Sequence, residues 1–301
     1  MGCCNCIAIS RRANRHISLP LLLVAGLLLS GCTHLFFYPM RQQVLSPEKL
    51  GLQSEDVAIM SRDGTHLFAW HLLTDEQQGR GLVCYFHGNA QNISTHIVNV
   101  AWLPPAGYEV LLLDYRGYGA SAGKPSLHGA LDDVRAALDW CLARGNALQL
   151  PVYALGQSLG AALMLEATAE EPYRGALAGV VADSSFAGYR RIARDAMAQS
   201  WLLWAFRYPL SLLVTGDHDP EVAVVHRHGL PLLLLHSADD EVIPFAHGRR
   251  LHDAAADPVC FVRTQGRHNA ALAEPSVAAA VGMFFRETAS PRRQDHGIAC
   301  P

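Results

Sequence analysis

The chain has 301 residues, a formal net charge of −3 and a hydrophobic fraction of 50%. This composition suits a globular protein with a large buried core and excludes a disordered or fibrous chain. No basic stripe follows residue 31, so we expect no nucleic-acid partner. No linker or internal repeat divides the middle of the sequence, which favours a single domain.

The first 31 residues predict an export signal. Three arginines precede an apolar run over residues 19–29, and residues 29–32 are Leu-Ser-Gly-Cys. A basic region, an apolar run and small residues before a cleavage point are typical of a secretory signal. The run is too short for a spanning helix, which needs about 20 residues.

Residues 29–32 also resemble the lipobox of bacterial lipoprotein precursors. In those precursors the cysteine is diacylated, the leader is cut before it, and the new amino group is acylated. The resemblance implies a signal peptide over residues 1–31 and a lipid anchor on Cys32 in the cell envelope. Thr33 stands where some lipoproteins carry an aspartate that retains them in the inner membrane, so the outer membrane is favoured where there is one. An ordinary cleaved signal and an uncleaved anchor stay open as alternatives.

Short apolar runs alternate with helical patterns along the rest of the chain. A hairpin is predicted over residues 55–73, and further strands are predicted at 81–86, 110–113, 152–155, 178–182, 231–235 and 259–263. Helices are predicted over 127–144, 246–255 and 276–286. Strands that alternate with helices form a mostly parallel sheet that is covered on both faces, which is an α/β fold. Residues 290–301 are predicted to be a polar, mobile tail.

Four cysteines beyond Cys32 are widely spaced and fit no zinc pattern: Cys84, Cys141, Cys260 and Cys300. Cys84 and Cys260 lie in apolar runs, so buried free thiols are favoured there. A disulfide is permitted in an exported protein, but the spacing does not pair any two of these cysteines. We expect neither a metal ion nor a cofactor.

A serine between glycines is the strongest chemical signal in the chain. Residues 156–160 are Gly-Gln-Ser-Leu-Gly, and they directly follow a predicted strand and open a predicted helix. This context predicts a nucleophile elbow, with the hydroxyl of Ser158 at the edge of the sheet above the positive end of the helix. A plain glycine-rich turn is the alternative.

A serine hydroxyl needs an imidazole to take its proton, and that imidazole needs a carboxylate to orient it. In sheets with such an elbow, the chain order is serine, acid, histidine. This order selects His268, which follows the last predicted strand, and we choose Asp240 as the acid. Asp183 and Asp239 stay open as acids, and we expect Glu241 to face solvent.

Acyl transfer also requires two backbone N–H groups that stabilise a tetrahedral oxyanion. We expect one from Leu159, the residue after the nucleophile. The second is expected from Asn89, in the loop His-Gly-Asn-Ala over residues 87–90. His87 is favoured as a structural histidine over a catalytic base, and a tight turn is the alternative for the whole loop.

Five motifs in order now carry a family resemblance: residues 87–89, 114–121, 156–160, 240–244 and 266–269. Together they resemble one branch of the α/β-hydrolases, which includes depalmitoylating thioesterases and is often grouped with prolyl-aminopeptidase-like serine hydrolases. The resemblance covers about residues 35–287 and implies the α/β-hydrolase fold, a Ser158–Asp240–His268 triad, and a structural loop at residues 114–121. We accordingly expect an α/β-hydrolase domain over residues 32–289. Ser237 departs from the family, which usually has glycine there.

A longer segment, about residues 186–225, contains Trp-Leu-Leu-Trp-Ala-Phe at 201–206. In this fold such an insertion often forms a cap over the substrate pocket, and these side chains would favour an acyl or aromatic group. A helix packed into the core is the alternative.

The function expected from these motifs is that of a serine hydrolase, esterase- or thioesterase-like, that forms an acyl-enzyme on Ser158. Its substrate would be the ester of a small molecule or of an acylated protein, and the lipid anchor would hold it at a membrane. An aminopeptidase- or amidase-like hydrolase is one alternative. A catalytically silent, membrane-anchored lipoprotein that binds lipids or a partner is the other.

Overall fold

The computed structural model describes residues 36–74, 76, 78–289 and 300–301. The predicted signal peptide, Cys32 and residues 290–299 of the predicted tail lie outside the described residues. Within the described part of the chain, no helix has the length and apolarity needed to cross a membrane.

An eight-stranded sheet forms the centre of the domain. Its strands are β1 (Ser54–Met60), β2 (His66–Leu72), β3 (Gly81–Phe86), β4 (Tyr108–Asp114), β5 (Val152–Gln157), β6 (Gly179–Asp183), β7 (Leu232–Ser237) and β8 (Val259–Thr264). Their order across the sheet is β8-β7-β6-β5-β3-β4-β2-β1. β2 pairs antiparallel with both β1 and β4, and every other neighbouring pair is parallel. The predicted α/β architecture with a mostly parallel sheet is therefore confirmed.

The burial of the strands explains their sequences. Every residue of β3, β5, β6 and β7 is buried, whereas the edge strand β1 has mostly exposed or half-buried residues. A parallel strand that is covered on both faces is apolar on both sides, so it forms a continuous hydrophobic run. The central strands therefore appear in the sequence as uninterrupted apolar runs.

Nine α-helices surround the sheet in the described residues. They are α1 (Ile93–His96), α2 (Leu127–Leu148), α3 (Leu159–Thr168), α4 (Tyr173–Ala176), α5 (Tyr189–Ala198), α6 (Arg207–Ser211), α7 (Pro220–Ala223), α8 (Ala246–Ala254) and α9 (Pro275–Thr288). Short 3-10 turns lie at Pro47–Leu50, Ile97–Asn99, Pro104–Ala106, Trp204–Phe206 and Ala271–Ala273.

The two faces of the sheet carry separate hydrophobic cores. Leu163 of α3 packs in the same core as Leu111 of β4, whereas Phe284 of α9 packs in the other core with Leu112. Successive strand residues fall in opposite cores because side chains alternate between the two faces.

The segment between β6 and β7, which we call the cap (residues 186–225), contains α5, α6, α7 and the turn Trp204–Phe206. The side chains of Trp201, Trp204 and Phe206 are exposed. The alternative of a helix packed into the core is therefore wrong for residues 201–206.

The cysteines differ in part from expectation. Cys260 forms a disulfide with Cys300, so the expectation of a free thiol at Cys260 is wrong. Cys260 lies on the edge strand β8, where a returning segment can reach it. Cys84 and Cys141 are buried free thiols, as expected for Cys84.

Candidate active site

The backbone turns sharply where β5 meets α3. β5 ends at Gln157, α3 begins at Leu159, and Ser158 between them has φ 54° and ψ −118°. A side chain in this left-handed region is strained, and such strain persists only where the surroundings hold it. The turn therefore matches the nucleophile elbow that the sequence predicts.

The glycines on either side of this turn have no room for a side chain. A Cβ at Gly156 would lie 2.7 Å from the Cα of Ala161. A Cβ at Gly160 would lie 2.3 Å from the carbonyl oxygens of Phe86 and His87. Because these contacts are with backbone, they cannot be relieved by side-chain motion, and both positions require glycine.

The three predicted catalytic side chains form one hydrogen-bonded row. His268 Nε2 lies 3.1 Å from Ser158 Oγ, and His268 Nδ1 lies 2.8 Å from Asp240 Oδ2. The other oxygen of Asp240 accepts from the backbone N–H groups of Val242 and Ile243 at 2.9 and 2.8 Å. The carboxylate accepts a hydrogen bond from Nδ1–H, so this arrangement leaves the lone pair of Nε2 facing the serine hydroxyl.

The carboxyl group of Asp240 is held in its ionised form. Burial raises the pKa of Asp240. The hydrogen bond and charge of His268, together with the two backbone N–H groups, lower this pKa by a larger amount, so the net shift is downward. His236 lies behind it, with Nε2 3.0 Å from the carbonyl oxygen of Ile243 and 3.8 Å from Asp240 Oδ2. The buried ring of His236 therefore holds the loop that carries Asp240 against the end of β7.

The two alternative acids bond elsewhere. Asp183, at the end of β6, accepts from Gln157 Nε2 at 2.8 Å and from Ser184 Oγ at 3.1 Å. Burial raises the pKa of Asp183 to about 6, against the opposing effect of these hydrogen bonds. Asp239 accepts from the backbone N–H of Gly266 at 3.4 Å. Of the three candidates, it is the carboxylate of Asp240 that meets the imidazole.

Two side chains near Asp240 join the loop after β7, which carries Asp240, to the loop after β8, which carries His268 and which we call the histidine loop. Glu241 is not simply solvent-facing as expected, because its carboxylate accepts from the backbone N–H of His268 at 3.1 Å and from Arg267 Nε at 3.0 Å. Ser237, which replaces the family's glycine, donates its hydroxyl proton to the carbonyl oxygen of Gly266. The departure from the family therefore adds a link between the two loops.

The loop after β3 runs beside the nucleophile. A Cβ at Gly88 would lie 3.6 Å from the Cβ of Ser158. The carbonyl oxygen of Asn89 accepts from Tyr118 Oη at 2.6 Å, which helps to hold the loop. Within the described residues, the backbone N–H groups of Asn89 and Leu159 donate to no acceptor. Both are thus available to a substrate oxygen.

His87 is packed into this loop as a structural group. Its Nδ1 lies 2.7 Å from the carbonyl oxygen of Gly88, and its ring stacks on His96 at 5.2 Å. Burial holds the pKa of His87 well below its usual range, so the imidazole stays neutral. The ring that contacts Ser158 Oγ is that of His268.

A buried polar network behind the nucleophile was not predicted from the sequence. Gln157 Oε1 accepts from Tyr85 Oη and from Asn99 Nδ2, and Gln157 Nε2 donates to Asp183. These groups come from four separate segments, so no local motif reveals them. The position of Gln157 next to the serine was the one available signal.

A cavity of about 570 Å³ opens at the candidate site. Its lining combines Ser158 and His268 with polar side chains, among them Asn89, His96 and Asn99. Its apolar wall includes Phe36, Leu159, Phe186, Ile192, Val242 and Ile243. A neighbouring apolar groove of about 410 Å³ lies against the cap and shares Phe36 with this cavity. No group of histidine, cysteine, aspartate or glutamate in the described residues could hold a metal ion.

Comparison with known proteins shows which family the chain belongs to. A family model described as serine aminopeptidase, S33, matches residues 77–224. The uncharacterized protein YfhR of Escherichia coli (strain K12) is 30% identical over 226 residues, which cover 74% of this chain and 75% of YfhR. The α/β hydrolase domain-containing protein WAV2 of Arabidopsis thaliana is 28% identical over 225 residues, 72% of each chain.

Solved structures share the fold at lower identity. The Pyrococcus furiosus esterase Pf2001 superposes with a TM-score of 0.70 at 19% identity, covering 85% of this chain and 99% of the esterase. The esterase domain of a Rhodothermus marinus protein has a TM-score of 0.55 at 24% identity, covering 76% of this chain and 95% of that domain. The chain therefore belongs to the α/β-hydrolase family, among the relatives of YfhR.

Proposed function

We propose that this protein is a serine hydrolase that cleaves carboxylic ester or thioester bonds through an acyl-enzyme on Ser158. The observation that carries the proposal is the row of hydroxyl, imidazole and carboxylate, with 3.1 Å between Ser158 and His268 and 2.8 Å between His268 and Asp240. A serine becomes an effective nucleophile in this arrangement.

In the proposed first step, Ser158 Oγ attacks the carbonyl carbon while His268 Nε2 takes the hydroxyl proton. Asp240 stabilises the imidazolium that forms. The oxyanion receives hydrogen bonds from the backbone N–H groups of Asn89 and Leu159, at the positive end of α3. His268 then protonates the leaving alcohol or thiol, and water attacks the acyl-enzyme with His268 again acting as base.

The cavity lining favours an ester or thioester over a peptide with a free amino terminus. No aspartate or glutamate is among the described residues that line the cavity at Ser158. An α-ammonium group there would lose its hydration without gaining an opposite charge, which is costly. The apolar wall suits an uncharged acyl group better, so an aminopeptidase-like activity remains the second candidate.

A catalytically silent binding protein is the third candidate. Such a protein would have no need of a serine, a histidine and an aspartate in hydrogen-bond contact.

We further propose that Cys32 carries a lipid that holds the protein in the cell envelope, at the outer membrane where the cell has one. Support comes from the lipobox-like residues 29–32. Cys32 also lies only four positions before Phe36, whose ring packs against Tyr189 of the cap. The anchor would thus join the domain almost directly, without a long linker.

Replacing Ser158 with alanine tests the proposed chemistry. The Ser158→Ala protein should lose labelling by a fluorophosphonate probe and lose kcat by a factor on the order of 10⁴ or more on p-nitrophenyl esters, because the nucleophile is gone. Ser54→Ala, at the far edge of the sheet, is the matched control and should keep both. Labelling that persists in Ser158→Ala would exclude this serine, and an unlabelled wild type would favour a binding protein. A chain-length series of acyl esters and thioesters beside aminoacyl anilides separates the two hydrolase candidates.

A further inference from the structure

The outer side of the cap exposes a group of large apolar side chains over residues 201–212. This apolar face consists of Trp201, Leu202, Trp204, Phe206, Tyr208 and Leu212. Trp201 is 91% exposed and Leu212 is 65% exposed, so most of each side chain is in contact with solvent. Soluble monomers rarely expose large apolar patches, and such patches mark surfaces that contact a membrane or a partner.

The side chains around this face have the chemistry of a bilayer interface. The guanidinium of Arg207 lies 4.8 Å from the ring centroid of Trp204 and 4.9 Å from that of Tyr208. Tryptophan and tyrosine have amphipathic rings that sit at the level of lipid headgroups, and arginine extends its charge from an apolar surface to the headgroups. Over the whole cap, four arginines are balanced by four acidic residues, so the cap has no net charge. The arginines that lie over the rings of this face are Arg207 and Arg194, and these two can reach the headgroups.

The chain also enters the domain at the cap. The ring of Phe36 packs edge-on against Tyr189 of α5, with 5.5 Å between centroids. Phe36 and Tyr38 line the apolar groove together with cap residues, among them Met197. Three residues separate Cys32 from Phe36, and the four steps between the two positions can span at most about 14 Å. A lipid on Cys32 would therefore be attached beside the apolar face.

We propose that the apolar face of the cap docks on the lipid bilayer to which the anchor belongs, inserting its aromatic side chains at the headgroup level. This inference rests on the proposed anchor at Cys32 but is independent of the proposed chemistry at Ser158. Anchor and cap would bind one membrane at two adjacent points. The domain would then have a fixed orientation, with the apolar groove beside the bilayer.

Fluorescence quenching by lipids with brominated acyl chains tests this docking, because bromine quenches tryptophan only at close contact. The full chain, processed in bacteria and reconstituted into vesicles of brominated phosphatidylcholine and phosphatidylglycerol, should show partial quenching of its tryptophan emission. The Trp201→Phe/Trp204→Phe protein should lose that quenching. The matched control, Trp102→Phe/Trp140→Phe, removes two partly buried tryptophans outside the cap and should keep it. Ser158→Ala should also keep it, so a failure of the proposed chemistry leaves this result unchanged.

Two outcomes would overturn the inference. Wild-type emission that is the same in brominated and unbrominated vesicles would show that the apolar face does not touch lipid. Quenching that survives Trp201→Phe/Trp204→Phe would show that other tryptophans face the bilayer. If quenching is absent and the detergent-solubilised protein sediments as a dimer, then a second copy of the chain covers the face instead.

Discussion

Asp240 uses its two carboxylate oxygens for different tasks. One oxygen faces His268 Nδ1 at 2.8 Å, and the other accepts from two backbone N–H groups of the following turn. The turn thus fixes the carboxylate, and the carboxylate fixes the imidazole. This division of tasks makes the position sensitive to a change that preserves size.

We expect Asp240→Asn to lower kcat on p-nitrophenyl esters by a factor on the order of 10⁴. The asparagine can still accept from the turn through its oxygen, but its NH2 group would face Nδ1 and favour the wrong histidine tautomer. Asp239→Asn is the control and should retain most of the activity, since Asp239 bonds to Gly266. An Asp240→Asn enzyme within tenfold of wild type would contradict the assignment of Asp240 as the acid.

Asp114 makes the stability of the fold depend on pH. It is buried, its Oδ1 accepts from the backbone N–H of Ile93 at 3.0 Å, and His87 Nε2 lies 3.7 Å away. Burial raises the pKa of Asp114 to about 7. Between about pH 4 and pH 7, the folded protein keeps this proton while the unfolded chain has lost it, so the free energy of unfolding falls as pH rises.

Asp114→Asn should remove this pH dependence, since asparagine does not ionise. The stability of Asp114→Asn relative to wild type should rise between pH 4 and pH 7, by up to about 4 kcal/mol. Urea denaturation at several pH values measures the difference, and Asp56→Asn at an exposed position is the control. A stability difference that stays constant across this range would mean that Asp114 is ionised in the folded protein.

At the residue scale, the sequence was informative where chemistry requires a local pattern. The glycines around Ser158 and the chain order of serine, acid and histidine selected the side chains that the structure brings into hydrogen-bond contact. The hydrogen bonds of Gln157 could not be predicted from the sequence, because its partners Tyr85, Asn99 and Asp183 come from three other segments. Such contacts depend on strand order, which composition does not reveal.

At the element scale, the disulfide joins the edge strand β8 to the segment that was predicted to be a polar tail. Cys260 lies on the edge strand β8, and Cys300 is 40 residues further along the chain. Between these two cysteines lie the loop that carries His268, the turn Ala271–Ala273 and α9, so the disulfide encloses all three.

Cys300→Ser should lower the free energy of unfolding by about 2–4 kcal/mol, because the unfolded chain would no longer be closed into a loop. Thermal or urea unfolding with and without a reducing agent measures the effect. Reduction should bring wild type to the level of the variant and leave the variant unchanged. A reducing agent that destabilises both proteins equally would locate the effect elsewhere.

The periodicity of apolar residues predicted which segments form strands and helices. The observed strands lie within a few residues of the predicted runs. The cap was harder, since a Trp- and Leu-rich helical segment has the same pattern whether it is packed in the core or exposed. Cys260 was wrongly expected to be free, because its partner stands in a polar segment where no spacing rule pairs it.

At the scale of the whole molecule, the proposed lipid on Cys32 would attach the domain to a membrane close to the cap. Cys32→Ser should abolish incorporation of an alkyne-tagged fatty acid and leave an unprocessed precursor of larger apparent mass, because acylation precedes cleavage in lipoprotein maturation. Metabolic labelling followed by gel electrophoresis measures both, and Cys300→Ser should keep the label. Continued labelling of Cys32→Ser would place the lipid on another residue or reject the lipoprotein interpretation.

The order of the three site residues along the chain affects when the site can form during protein synthesis. The imidazole follows the serine by 110 positions in the chain, and the carboxylate too comes after the serine. During synthesis on the ribosome, the nucleophile therefore emerges long before the group that activates it. On the proposed mechanism, a nascent or prematurely terminated polypeptide that stops short of residue 268 would contain an inert hydroxyl, and hydrolysis would begin only once translation has passed this histidine.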